Sequence, residues 1–323
     1  MASGPRPLKY FSAWELHPDF GQVVHKAWRI KIRGSPMFIL AKKLQHLKIV
    51  LKDWNKEGTG TPSSFTPPLS PDYPKTPFAR WLLADGLSSG EPKFIKEFFV
   101  EYYRKLLNTN ITHPISEMNN LIQLSGLEGE ALCAPVSESK LKQALFSMKP
   151  HGSPGPDGFS AHFFQNFWSD VKQDFIDAIL SFFEWGHLLK QFNHTFISLI
   201  PKVKHAESFD NFRPISLCNV VYKTITKIMA ERLQQVLPRL ISHNQSAFVR
   251  GRNIVHSSIL AHELTRAMNY LSVRGRTCIK IDLRKAFDSA QWEFLEKVMR
   301  GMNFPNYWIH LVLQCVGTAS FQS

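Results

Sequence analysis

Two aspartates stand close together in residues 278–292, which read CIKIDLRKAFDSAQW. Apolar and polar residues alternate up to the first acid, Asp282, and predict a strand with the carboxylate on the face opposite Ile279 and Ile281. A carboxylate at a strand end suits Mg²⁺, which prefers hard oxygen ligands. Phosphoryl transfer commonly uses two such ions, so at least one further carboxylate is required.

Both acids also have simpler explanations. Asp282 fits a helix N-cap or a solvent-facing strand acid. Asp288 can pair with Arg284, four residues earlier. Taken alone, these residues permit metal-dependent phosphoryl transfer without requiring it.

The whole chain is basic. Its 323 residues contain 39 Lys and Arg against 26 Asp and Glu, a net charge of +13. This excess favours a polyanionic partner such as nucleic acid, although a basic protein without a specific partner carries the same charge. Hydrophobic residues make up 44% of the chain, enough for a sizeable core.

Several classes of protein are disfavoured. The four cysteines include no CxxC pair, so a disulfide scaffold and a zinc knuckle are poorly supported. The first residues lack the apolar segment of a signal peptide, and no apolar run reaches the roughly 18 residues of a membrane span. The sequence predicts an intracellular protein, in the nucleus or the cytoplasm, with no membrane partner.

Periodicity predicts mostly helices. Apolar residues recur at steps of three and four in one group of segments: from Pro36 onward, 93–107, 137–148, 164–182, 220–240, 254–271, 292–301 and 305–315. Residues 194–201 read as a short strand that ends at Pro201. HGSPGPDGF, residues 151–159, predicts a rigid turn. Residues 62–77 contain six prolines and predict a linker or an irregular loop.

Residues 281–288 read Ile-Asp-Leu-x-x-Ala-Phe-Asp, and the motifs NFRPISLCN and GPDGF lie upstream of them. Together these motifs resemble those of a reverse transcriptase. The chain is similar to the LINE-type, non-LTR retrotransposon enzymes, plant members above all. Six segments follow that family in order: EFFVEYYRKLL, KPHGSPGPDGFSAHFFQNFW, FISLIPKV, FRPISLCNVVYKTITKIMAERL, NQSAFVRGRNI and GMNFPNYWIHLVLQCV. The resemblance implies a helix-rich α+β fold, with the fingers and an incomplete palm of a right-hand polymerase.

The resemblance also suggests how the chain is divided. We expect a basic helical connector over residues 1–57 and a Pro-rich linker, disordered or irregular, over residues 58–92. A helical segment before the fingers would cover residues 93–135. The partial reverse transcriptase domain, with fingers and the start of the palm, would cover residues 136–323.

Roles at the nucleotide follow from the family motifs. The resemblance implies that Asp282 holds the catalytic metal and that Phe287 is the gate that selects deoxynucleotides. Lys202 and Arg213 would grip the incoming triphosphate, a task suited to a point charge and a planar fork. The alternatives are a core aromatic for Phe287 and ordinary surface cations for the other two.

A second group would contact nucleic acid. Residues 244–252 would line the template groove, with Gln245, Arg250 and Arg252 on the sugar-phosphate backbone. For residues 156–158 a structural turn and a role near template or primer are equally open. The implied partners are an RNA template, a DNA primer and dNTPs, and the implied cofactor is Mg²⁺.

The second carboxylate motif of the family is missing. Relatives continue with Phe-Ala-Asp-Asp, which does not occur in these 323 residues. We therefore expect a fragment of an RNA-directed DNA polymerase that is inactive by itself. The alternatives are a non-enzymatic, basic remnant that binds RNA or DNA, and a translated pseudogene without a role.

Overall fold

The computed structural model describes residues 9–56, 81–82, 88–89, 97, 100–102, 121–204, 211–270, 279–282 and 290–322. These residues form a helix-rich α+β structure, as predicted. A 3₁₀ helix, Ser12–Leu16, precedes the α-helices, which are α1 Phe20–Trp28, α2 Pro36–Lys56, α3 Gly126–Cys133, α4 Glu138–Phe146, α5 Ala161–Asn166, α6 Trp168–Trp185, α7 Val220–Leu240, α8 Ile254–Tyr270, α9 Trp292–Gly301 and α10 Asn306–Gly317. The strands are β1 Trp81–Leu82, β2 Ser88–Ser89, β3 His194–Pro201, β4 Phe212–Leu217 and β5 Ser320–Gln322.

The chain divides into two compact units. The first unit consists of Met1–Lys105, Pro135–Ile228 and Leu311–Ser323, and the second of Leu106–Ala134 and Met229–His310. This partition differs from the predicted boundaries, because the predicted connector shares the first unit with much of the predicted polymerase domain.

Helix α2, which lies in the predicted connector, packs within the first unit. Its apolar face, including Leu40 and Leu47, is fully buried, and the helix packs along α6. Polar contacts reinforce this packing, since Trp28 Nε1 and Lys43 Nζ each donate to Asp174 Oδ2 at 2.8 Å. Residues far apart in sequence therefore share one core.

An aromatic cluster extends that core. The Tyr10 and Phe163 ring centroids lie 5.3 Å apart, and those of Phe159 and Phe163 lie 4.6 Å apart. The backbone N–H of Tyr10 donates to the Gly158 carbonyl at 2.9 Å. Aromatic pairs at such distances contribute beyond the area they bury, so the start of the chain is held against the turn at residues 151–159.

The three-stranded sheet of the first unit has the order β4-β3-β5, and β1 pairs with β2 in a separate two-stranded sheet. Strand β3 pairs antiparallel with β4 and parallel with β5. Strand β4 is thus an edge strand, which explains how it tolerates Pro214, since proline lacks the N–H that a central strand uses. The strand predicted over residues 194–201 is confirmed.

The second unit is held by arginines and a helix cap. Ser125 and Glu128 form a capping box at the start of α3, which satisfies backbone donors that would otherwise be unpaired. Arg239, near the end of α7, donates to Glu128 Oε1 at 2.9 Å. Arg232 Nη1 donates to the Leu132 carbonyl at 2.9 Å.

Most predicted helices are confirmed, with bounds within a few residues. The helix predicted over residues 164–182 is interrupted, because α5 ends at Asn166 and α6 begins at Trp168. The strand predicted before Asp282 is wrong for residues 279–282, which have no regular structure. Ile279 and Ile281 are 77% and 79% exposed, so the burial that alternation implies is absent. Most of residues 93–107 lies outside the described residues.

Residues 254–266 of helix α8 bury little of their surface. Their apolar side chains are largely exposed, among them Ile254, Ile259 and Leu264. None of the helices in the described part of the chain is both long and apolar enough to cross a bilayer.

Candidate nucleic-acid and nucleotide site

Lys202 and Arg213 meet at one end of the β3–β4 hairpin. Arg213 pairs with Ile200 across the two strands, and the Lys202 amide donates to the Asn211 carbonyl at 2.7 Å. Because side chains alternate along a strand, Lys202, Ile200 and Arg213 belong to the same face. Both cations are exposed. The hairpin therefore presents the ammonium group of Lys202 and the guanidinium group of Arg213 on one face.

The turn at residues 151–159 is locked onto the segment after β4 by Asn219. This side chain is fully buried. Its Oδ1 accepts the Asp157 amide at 3.1 Å, and its Nδ2 donates to the carbonyls of Gln191 at 2.9 Å and Phe192 at 3.1 Å. Residues of GPDGF and NFRPISLCN, more than sixty positions apart, are thus joined by one amide.

Close approach at this junction requires a glycine. A Cβ added to Gly155 would lie 2.5 Å from the Asn219 nitrogen and 2.6 Å from the Cys218 carbonyl carbon. These are backbone atoms, which cannot move aside as the end of a side chain can. The first glycine of GPDGF is therefore explained by packing.

Asp157 carries a buried carboxylate in the same turn. Its Oδ1 accepts the Phe159 amide at 3.0 Å, while its Oδ2 is buried and has no hydrogen-bond partner. Burial raises the pKa of this carboxyl to about 6, although the Phe159 amide and the nearby Lys48 and Lys223 oppose the rise. Burial also lowers the pKa of the Lys48 amine, against the attraction of Asp157.

A cavity of about 600 Å³ opens beside this carboxylate. Helix α2 supplies Leu44 and Lys48 to its lining, the segment before β3 supplies Leu189 and Phe192, and β3 begins there with His194. Lys48 Nζ donates to the Pro156 carbonyl at 3.1 Å. The connector helix therefore contributes directly to the surroundings of the GPDGF turn.

Arg252 organises the loop from Ile241 to Asn253. Its guanidinium donates to four backbone carbonyls, those of Pro238 at 2.8 Å, Ile241 at 2.7 Å, Gln245 at 2.7 Å and Ser242. The last carbonyls of a helix lack partners within the helix, and a cation there is favoured by the helix dipole. Arg252 thus caps α7, and its predicted contact with template phosphates would be left to the remaining Nε–H.

The other residues predicted for this loop are exposed. Gln245 donates from Nε2 to the Ala247 carbonyl at 3.1 Å, and Arg250 lies beside Gly251 at the loop surface. Phe248, which lies within the predicted template groove but was given no individual role there, is 81% exposed and has a φ of 63°. That left-handed conformation costs about 1–2 kcal/mol for a residue with a Cβ.

Asp282 is exposed and lies in a stretch without regular structure. Within the described residues no three histidine, cysteine or carboxylate side chains are grouped to hold a metal ion, so this part of the chain does not by itself form the predicted Mg²⁺ site. Phe287 and Asp288 lie outside the described residues. The structure assigns Lys202 and Arg213 to the first unit, and Gln245, Arg250, Arg252 and Asp282 to the second.

Part of the chain resembles known proteins. Residues 200–323 match the family described as reverse transcriptase (RNA-dependent DNA polymerase). The chain is 29% identical over 223 residues to the Transposon TX1 uncharacterized 149 kDa protein of Xenopus laevis, covering 68% of this chain and 17% of that protein. It is 24% identical over 220 residues to the Pol polyprotein of the retrotransposable element R2DM of Drosophila melanogaster, covering 67% and 20%. Residues 200–323 are thus similar to reverse transcriptases, and the chain resembles proteins of transposons and retrotransposable elements.

The prediction of a LINE-type reverse transcriptase fragment is therefore confirmed, while the closer likeness to plant members stays a prediction. The chain spans about a fifth of the length of the curated relatives it matches. The sequence alone did not single out Asn219 or Phe248. Both lie within quoted motifs, but burial and a positive φ are properties that the letters do not show.

Proposed function

We propose that this chain forms the part of an RNA-directed DNA polymerase that holds the template, the primer and the incoming nucleotide, as the fingers and the start of the palm. The observation that carries the proposal is the family match over residues 200–323. That range includes every residue to which the resemblance assigned a role: Lys202, Arg213, Gln245, Arg250, Arg252, Asp282 and Phe287.

The hairpin end is the proposed site for the triphosphate of a dNTP. A phosphate group carries several acceptor oxygens, and a lysine with an arginine fork beside it matches them with charge-assisted hydrogen bonds. Lys202 and Arg213 are exposed and share a face, so both can reach one ligand. Phe287 remains the proposed gate against the ribose 2′-OH.

Asp282 is the proposed ligand for Mg²⁺. When bound, the metal neutralises charge on the phosphoryl oxygens during transfer. Asp282 is one carboxylate, and a two-metal site needs more. We therefore expect these 323 residues to require a further carboxylate from outside them for primer extension.

Nucleic-acid binding is tested with a labelled RNA template annealed to a DNA primer, by fluorescence anisotropy at two salt concentrations. Contacts with several phosphates make affinity fall steeply with salt, so we expect at least about a tenfold loss between 50 and 200 mM. Binding that is absent, or that does not change with salt, would contradict the proposal.

The nucleotide site is tested by two charge-matched variants. Lys202→Gln should weaken dNTP binding, because it removes a cation from the hairpin end. Lys172→Gln removes an exposed lysine from α6 and should leave dNTP binding unchanged. Equal losses in both variants would show that only net charge matters.

Primer extension with Mg²⁺ and dNTPs tests the assignment of Asp282. We expect no extension by the 323 residues alone. Robust extension that disappears in Asp282→Asn would confirm the polymerase and the role of Asp282. The same result would show that the carboxylates within these residues suffice, against our expectation.

A further inference from the structure

We propose that Phe248 is a stacking platform for an unpaired base of single-stranded nucleic acid, a contact that rests on the proposed function and adds a residue to it. Aromatic side chains bind successive bases of single strands largely without regard to sequence, because every base has a π-face. Four observations carry the assignment: the exposure of the ring, its backbone conformation, the hydrogen bonds that hold the loop and the charge around it.

The ring is presented to solvent at an energetic cost. Phe248 is 81% exposed, while the next residue, Val249, is 7% exposed. The loop thus anchors itself through Val249 and directs the larger aromatic outward. Phe248 also holds a φ of 63°, a conformation uncommon for a residue other than glycine, asparagine or aspartate. Strained residues of this kind cluster where a ligand is bound.

Several hydrogen bonds hold the loop around Phe248. Arg252 binds four carbonyls on the preceding side of the loop, and Ser246 forms a hydrogen bond with Ser257 of α8. Gln245 Nε2 donates a further hydrogen bond to the Ala247 carbonyl. A loop backbone held before binding loses less conformational entropy when the ligand arrives.

The charge of the loop favours a nucleic acid over an apolar protein segment. Residues 241–256 contain two arginines, two histidines and no acidic residue. Arg250, two positions after Phe248, is exposed. An aromatic face beside cations matches a strand that offers bases and phosphates together. An unpaired strand is required, because bases within a duplex are already stacked on each other.

Two oligonucleotides of equal charge separate stacking from phosphate binding. One is a single-stranded DNA 12-mer, and the other is the same backbone with an abasic spacer at every position. Phe248→Asn should weaken binding of the base-containing strand by about 5- to 100-fold, the range expected for one lost base stack. Binding of the abasic strand should not change. The affinity of the unmodified protein and that of Phe248→Asn should depend on salt concentration in the same way.

The variants are chosen so that misfolding cannot imitate the effect. Asparagine tolerates the left-handed conformation, so Phe248→Asn should fold, which a thermal melt checks. Phe248→Tyr keeps a ring and should keep the affinity. Trp185 is 73% exposed on α6, and Trp185→Asn is the matched control in which no change is expected.

Different results would refute this inference alone or this inference together with the proposed function. The stacking platform is refuted if Phe248→Asn leaves both affinities unchanged, lowers both equally, or instead abolishes self-association of the chain. If the unmodified chain binds neither strand, both this inference and the proposed function are wrong. If it binds both strands with the expected salt dependence and Phe248→Asn has no effect, only this inference is wrong.

Discussion

Replacing Asp157 by asparagine should stabilise the protein near pH 7.5 and change little near pH 4. The Asp157 Oδ2 atom is buried without a hydrogen-bond partner, so ionisation in the folded state leaves a buried negative charge poorly compensated. An asparagine has nearly the same shape, and its Oδ1 can still accept the Phe159 amide. The substitution therefore removes the charge and keeps the turn.

The pKa of Asp157 sets the size of the effect. The carboxyl has an ordinary pKa of 3.8 and a folded-state pKa of about 6. A difference of about 2 corresponds to about 3 kcal/mol, with the attraction of Lys48 and Lys223 already included. Because the folded pKa is the higher one, this destabilisation is absent below about pH 4. It grows between about pH 4 and 6 and is constant above.

Urea unfolding at pH 4.5, 6 and 7.5 measures the effect. We expect the free energy of unfolding of Asp157→Asn to exceed that of the unmodified chain by up to about 3 kcal/mol at pH 7.5, with the difference shrinking toward pH 4.5. Asp53→Asn, at an exposed position on α2, should show almost no pH-dependent difference. A loss of stability in Asp157→Asn at pH 7.5 would refute the reasoning, since it would mean that the ionised carboxylate is needed.

Three further predictions concern packing, capping and an ion pair. Gly155→Ala should unfold at a much lower urea concentration than the unmodified chain, because its Cβ would meet backbone atoms, whereas Gly152→Ala, whose Cβ has only an ordinary contact, should not. Arg252→Lys should destabilise the chain by about 1–3 kcal/mol and speed hydrogen exchange at the end of α7. The reason is that one ammonium group cannot replace a guanidinium group that binds four carbonyls. Unchanged exchange would show that the cap is dispensable. Hydrogen bonds from Arg239 and Ser125 hold the pKa of Glu128 at about 2, so this pair contributes stability that is present above about pH 4.5 and is lost as pH falls toward 2. An NMR titration should show a higher Glu128 pKa in Arg239→Gln, and an unchanged value would contradict the pairing.

Much of the fold followed from periodicity. The bounds of α7 and α9 agree with the predicted helices, because a helix that buries one face must repeat apolar residues near every 3.6 positions. The strand β3 was likewise readable from its composition and from Pro201. The stretch before Asp282 shows the limit of this reasoning, since alternation predicted a strand where the described residues are irregular and exposed. Alternation of apolar and polar residues indicates which face of a strand could be buried. Whether that face is buried depends on the segments that pair and pack with it.

The sequence suggested which residues form the candidate site, and it did not show how they are arranged. Family motifs placed Lys202 and Arg213 in one functional group, and the hairpin register explains how they share a face. The contact of Lys48 with the GPDGF turn could not be foreseen, because it joins residues more than a hundred positions apart. Arg252 was predicted to contact phosphate, and its four bonds to backbone carbonyls give it a structural role as well.

By itself, the sequence determined the composition of the core, the helix pattern, the basic charge and the relation to LINE-type reverse transcriptases, since each depends on residue types in order along the chain. Only the tertiary structure decided that one buried amide, that of Asn219, joins two motifs, that the Asp157 carboxylate is buried and that Phe248 stands exposed in a strained conformation. Burial and hydrogen bonding depend on which distant segments come together, and local residue patterns do not contain that information.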